Sequence, residues 1–263
     1  MSYITDPKGA QFGLFKTETD PSVFTMIGQR FHTEDGTELV LVQNGSVALT
    51  AGKLIQHSPI VAAHQDIDVV AFTAASTSTG LPASFTATLG ATKADANMYA
   101  DGYAVVNSGT GLGQRLRITS STATAASGVI TIVLEDSPVV ALDTTSHVDL
   151  IAAPYSGVVI SPTTPTAGVA GVTLYAIPAS VPSTFDGTSG ALTAVGTYTY
   201  GFVVTQGITS CLSDVTVAAV GLGIARSTTT AGAITVQAAT LACIGEAYQT
   251  SVSAEARAVR INL

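Results

Sequence analysis

The feature that most constrains this chain is how soon every apolar run is broken. Valine, isoleucine, threonine and aromatic residues gather in short runs, and each run ends at a cluster of Gly, Pro, Ser or Thr. No stretch long enough for a helix keeps an apolar period of 3.6. Roughly fifteen such runs predict an all-β protein, a β-barrel or sandwich. The longest lies in Gly196–Arg226, GTYTYGFVVTQGITSCLSDVTVAAVGLGIAR. Its uncharged opening, Tyr198–Thr205, suits a strand buried against other protein. Gly207 supplies a bend or a bulge, Ile208–Leu212 reads as a returning strand, Ser213-Asp214 as a turn, and Val215–Val220 and Gly221–Ala225 as two further strands.

Composition narrows the partners. Only 11% of the 263 residues are charged, and the formal net charge is −8. Mean hydropathy is +0.44, carried by Ala, Val, Thr and Gly rather than by any run of the roughly 20 apolar residues that crosses a bilayer. The cations stand singly, at Lys8, Lys16, Arg30, Lys53, Lys93, Arg115, Arg117, Arg226, Arg257 and Arg260. Nucleic acid needs clustered cations to neutralise its phosphates, so neither nucleic acid nor an anionic membrane is an expected partner. The opening MSYITDPKGAQFG lacks a basic segment followed by an apolar one, which predicts no cleaved export signal and synthesis in the cytoplasm. So little charge on a soluble chain points to surface hidden against other subunits.

Along the chain, residues 1–36 differ from the rest. Charges and the aromatics Tyr3, Phe12, Phe15, Phe24 and Phe31 are dispersed there without a steady period. They read as an extended arm, either packed as irregular strand on its own domain or anchored by its aromatics on a neighbouring subunit. Phe12, Phe15, Phe24 and Phe31 are the candidates to fill pockets on a neighbour, and Lys8, Lys16 and Arg30 to meet its carboxylates. Glu38–Gln43, Asn44-Gly45 and Ser46–Thr50 carry a hairpin signature, since Asn-Gly favours a type I′ turn. That turn reading outweighs the glycosylation sequon at Asn44-Gly45-Ser46. Residues 37–71 and 154–263 share one style and are expected to form a discontinuous β-domain, with residues 72–153 as an inserted β-lobe. Val181–Val195 reads as an inserted loop.

Three patterns have chemical overtones. Strand alternation would place His64, Asp66 and Asp68 on one face as potential metal ligands; a solvated strand face with Ile67 and Val69 turned inward is the expected reading, with no metal. Ser108–Gly113 alternates glycines after a strand, but Gln114–Thr119 continues as strand rather than helix, so a hairpin loop is expected instead of a phosphate cradle. Cys211 and Cys243 are too few for a disulfide framework or a cysteine-rich zinc site and read as two buried apolar side chains. His32, His57, His64 and His147 have no spacing that makes a nucleophile–base–acid set, so no enzyme activity and no cofactor are expected.

Several patches together resemble the capsid decoration, or cement, proteins of tailed bacteriophages. They are Glu38–Gly52 (ELVLVQNGSVALTAG), Tyr99 and Gly102 with YAVVNSGTGLGQRLRI ending at Ile118, Tyr155–Pro162 (YSGVVISP), Tyr200–Asp214 (YGFVVTQGITSCLSD) and the AVRINL ending. The resemblance implies a β-rich protein on the outer surface of the virion head, commonly a homotrimer, which clamps neighbouring capsomers of the major capsid protein. It carries no catalytic residue. A fibre or receptor-binding module is the competing expectation; against it, recognition surfaces favour Trp, Tyr and Arg, and Trp is absent.

Overall fold

The computed structural model describes residues 3–5, 11–13, 27–76, 80–181, 183–186 and 192–263. These are almost entirely β, with one 3-10 turn at Ala62–His64, so the all-β expectation holds. The described residues fall into two compact units, one within Met1–Pro59, Pro154–Pro182 and Thr197–Leu263, the other within Ile60–Ala153 and Ser183–Gly196.

In chain order, β1 (Tyr3–Thr5) and β2 (Gln11–Gly13) pair with each other and, among the described residues, with no other strand. β3 (Arg30–His32), β4 (Glu38–Asn44) and β5 (Leu54–Gln56) belong to a ten-stranded sheet. β6 (Ile67–Thr73), β7 (Ser84–Thr88), β8 (Tyr103–Ser108), β9 (Arg115–Ser121), β10 (Val129–Leu134) and β11 (His147–Ile151) close an antiparallel barrel in the order β10-β7-β6-β11-β8-β9. β12 (Ser156–Ile160) and β13 (Val169–Thr173) return to the large sheet, and β14 (Thr184–Phe185) pairs with β15 (Leu192–Ala194). β16 (Tyr200–Leu212), β17 (Gly223–Arg226), β18 (Ile234–Val236), β19 (Gly245–Ala247) and β20 (Ala256–Asn262) complete the sheet.

The barrel follows the two-residue period of a strand that buries one face. All six strands send alternate side chains inward: Ile67 and Val69, Phe85 and Ala87, Ala104 and Val106, Leu116 and Ile118, Ile130 and Ile132, Val148 and Leu150. β6, which the sequence reading divided between two domains at residues 71 and 72, is one strand of this barrel. Ser108–Gly113 ends β8 and joins it to β9 in an antiparallel pair, a hairpin loop as expected.

The larger unit is built differently. The pairings β16–β13, β13–β5, β5–β12, β12–β4 and β4–β16 return to their starting strand and close a five-stranded ring, parallel only at β12–β4. A second closure runs β16–β20–β19–β17–β18 and back through the bridge Ser213↔Ile234. Each has a core fed by all its strands. Val40, Ile55, Val158, Ala170 and Val203 fill the first. Cys211, Ile224, Ile234, Ala247 and Ile261 fill the second. A third cluster, Phe31, Leu39, Leu41, Tyr200, Phe202 and Val204, covers the other face of β4 and β16.

β16 is therefore the strand common to both closures. It pairs with β4 over Tyr200–Gln206 and with β20 over Gln206–Leu212. The expected return of Ile208–Leu212 is corrected: Gly207 lies inside one continuous strand, which does not reverse there. Its φ of +118° suits glycine, and a Cβ there would come within 2.9 Å of Thr37. Val215–Val220 forms only the bridge Val217↔Ser251, not a strand.

The Asn44-Gly45 hairpin is also corrected. β4 does not fold back on residues 46–50. It lies between other strands, and Leu49 bridges to Ile177 instead. The Asn44 side chain is buried, and its Nδ2 donates to the carbonyls of Val47 (3.0 Å), Ile177 (3.2 Å) and Pro178 (2.7 Å). Those bonds satisfy a donor that the interior would otherwise leave stranded, and they remove the sequon asparagine from solvent.

Candidate functional site

Two surface features stand out, one on each unit. On the barrel, the loop after β8 is locked to the segment between β10 and β11. The Gln114 amide donates to Val140 O (2.9 Å) and accepts from Val140 N (3.1 Å). Thr110 Oγ1 donates to Asp143 Oδ2 (2.8 Å), while Asp143 Oδ1 accepts from Thr145 N and Oγ1 at 2.8 and 2.6 Å. These bonds, Thr145 first, hold the Asp143 carboxyl below the usual carboxylate range. Ser146 Oγ donates back to Thr110 O (2.7 Å). Gly109 sits at φ +74°, so close to Thr145 that a Cβ would overlap its carbonyl. This rigid pair of loops holds aliphatic side chains in solvent: Val139 is 95% exposed, Leu112 67%, and Val140 nearly half. Rigid loops with an apolar apex are suited to contact another protein surface.

On the larger unit, the outer face of β16, β20 and β19 carries a trough. Register places Gln206 opposite Asn262, Ile208 opposite Arg260, and Arg260 opposite Glu246. Two adjoining depressions, of about 610 and 320 Å³, share Gln206 and Arg260 as lining. Glu246, Asn262 and Cys243 line the larger, and Asp35, Thr37, Ile208 and Tyr248 the smaller. Arg260 Nη1 lies 3.6 Å from Glu246 Oε1, both side chains being exposed. Asp35 Oδ1 accepts from Thr33 Oγ1 and from Thr37 N (3.0 Å), bonds that hold its carboxyl below the usual range. The Cys243 thiol donates to Gly245 O (3.2 Å).

The residues singled out in the sequence are scattered. His64 is not on a strand with Asp66 and Asp68; it ends the 3-10 turn and is fully buried. Its Nε2 donates to Thr92 O (2.8 Å), which leaves Nδ1 to accept from the Tyr99 hydroxyl. Burial pushes that hydroxyl's pKa well up. Asp66 (φ +51°) and Asp68 meet His147 instead, at 3.5 and 3.1 Å from its Nδ1. Among the described residues no group of three His, Cys, Asp or Glu side chains is arranged to hold a metal ion.

Of the arm candidates, Phe31 packs within its own unit, edge-on to Phe202 with ring centroids 5.3 Å apart. Arg30 bonds Glu38 of the same chain. β3 pairs with β4 and turns Phe31 onto the core of its own unit, while the Arg30 side chain stays about half exposed beside Glu38. Phe15, Phe24, Lys8 and Lys16 lie outside the described residues, as does the side chain of Phe12. Cys211 is buried, as expected, and burial pushes its thiol up to about 12; Cys243 is exposed, against expectation.

The apex residues were missed because loop segments were read only as punctuation. The signal was present in Val139-Val140, an apolar pair directly after the Ser137-Pro138 turn and outside any strand pattern. No protein-family model, curated protein or solved structure matches the chain.

Proposed function

We propose that this chain is a non-enzymatic virion structural protein that coats the outside of a tailed-phage head and clamps neighbouring capsomers. Its partners in this reading are the major capsid protein and further copies of itself in a homotrimer. The observation that carries the reading is the exposed aliphatic apex of Leu112, Val139 and Val140 on a chain with only 11% charged residues. Such a surface is suited to association rather than to solvent. The resemblance of the turn-and-strand patches to decoration proteins supplies the identity of the partner. Stabilisation would be additive: standard interfaces bury roughly 1,200–2,000 Å² in total, and repetition over a shell multiplies a modest affinity at each site.

The test is to mix the purified chain with expanded heads that lack decoration and to sediment them. Saturable co-sedimentation, with a rise in the temperature at which heads open, is the expected result. A chain that stays in the supernatant at micromolar concentration contradicts the reading. Light scattering after size exclusion is expected to give the mass of a trimer. A fibre or receptor-binding module is the second reading, favoured by the trough and its exposed Tyr248.

A further inference from the structure

We propose that the trough across β16, β20 and β19 is a binding site for a neutral oligosaccharide. The site stands within one compact unit and holds under either reading above. Its polar groups are planar and paired across the strands: the Gln206 and Asn262 amides face each other in register, and the Arg260 guanidinium faces the Glu246 carboxylate. Amides, carboxylates and guanidinium groups offer two donors or acceptors in one plane, which matches the adjacent hydroxyls of a sugar, each both donor and acceptor. The Arg260–Glu246 contact, at 3.6 Å and exposed to solvent, leaves both groups free to rearrange onto a ligand.

Tyr248 provides the complementary apolar element. It is 51% exposed and lines the smaller depression, while its backbone is tied to β20 by the bond from Tyr248 N to Ala258 O (3.1 Å). An exposed aromatic ring beside a polar cleft offers a flat face for the C–H side of a pyranose ring. The two depressions, about 610 and 320 Å³, fall in the range of roughly 300–1,000 Å³ usual for small-ligand sites.

Charge and topology argue against two other ligand classes. One guanidinium is set against the carboxylates of Glu246 and Asp35, so a phosphate or other anion meets net repulsion. A peptide added as a strand needs a free sheet edge, whereas β20 is paired on both sides, by β16 and β19.

Calorimetric titration of the full chain with maltotetraose, cellotetraose and N-acetylchitotetraose, each alone, tests the assignment. At least one probe is expected to bind with Kd of about 1 mM or tighter. Tyr248→Ala and Gln206→Ala are each expected to weaken it about tenfold, or 1.4 kcal/mol, with an unchanged circular dichroism spectrum and unchanged sedimentation with heads. Absence of binding by all three probes overturns the proposal. So does equal binding by the Tyr248→Ala chain. A change in oligomeric mass on Tyr248→Ala without saccharide binding also overturns it, and identifies the face as a contact between copies. Loss of head binding in the wild-type chain bears on the coat reading alone.

Discussion

The barrel of β6–β11 and the double closure around β16 solve the same problem in opposite ways. In the barrel each strand buries one face, and six strands share one core. In the larger unit β4 is buried along its whole length, with Val40 and Val42 facing one core and Leu39 and Leu41 another. The first half of β16 is buried on both faces in the same way. A strand with one buried face tolerates change at every second position; a strand with two tolerates it nowhere. The difference teaches where the chain is brittle.

Truncation of neighbouring side chains separates the two units most strongly. Phe202→Ala, on one face of β16, is expected to cost about 3–5 kcal/mol, and Val203→Ala, on the other, more than about 1 kcal/mol. In the barrel, Ile132→Ala is expected to cost about 2–5 kcal/mol, but its neighbour Thr131→Ala only about 0.5 kcal/mol or less. Urea unfolding measures all four. Equal costs at Thr131 and Ile132, or a silent Val203, contradict the contrast between the units.

That contrast also decided what was legible in the sequence. Barrel strands were legible where the pattern is local, as in Gln114–Thr119, which alternates polar and apolar residues directly after a glycine-rich loop. β16 was recognised as buried, since Tyr198–Thr205 carries no charge, but its course was not. A glycine at position 207 reads equally as a turn or a bulge, and only the partners on either side of it, β4 and β20, distinguish the two. Asn44-Gly45 misled for a related reason: local turn chemistry lost to the long-range bonds from Asn44 to Ile177 and Pro178. The trough is invisible to local patterns because Gln206, Glu246 and Arg260 come from three different strands, and only their pairing puts the side chains side by side.

A smaller effect is expected at the polar interior of the barrel. Tyr99→Phe leaves the buried Nδ1 of His64 without its donor and is expected to cost about 1–3 kcal/mol. His64→Phe with Tyr99→Phe removes both partners and is expected to recover part of that loss, read by the same unfolding curves.

The smallest effect belongs to the larger unit. Burial lowers the pKa of His57 below 6.5, outweighing the bond from its Nδ1 to Pro154 O (2.9 Å). A histidine held neutral in the fold binds fewer protons than in the unfolded chain. Its contribution is therefore complete above pH 6.5 and lost as pH falls toward the lowered value. The thermal midpoint is expected to fall on acidification below about pH 6.5, and His57→Asn to flatten that part of the curve.

The binding isotherm of the doubly substituted Leu112→Asp, Val139→Asp chain on decoration-free heads tests the proposal that the rigid loops present the apex of Leu112 and Val139 for assembly. Both side chains are exposed, so the variant is expected to unfold within about 0.5 kcal/mol of the parent. Its affinity for heads is expected to fall at least tenfold, or about 1.4 kcal/mol per site. A folded variant that coats heads as tightly as the parent contradicts the account.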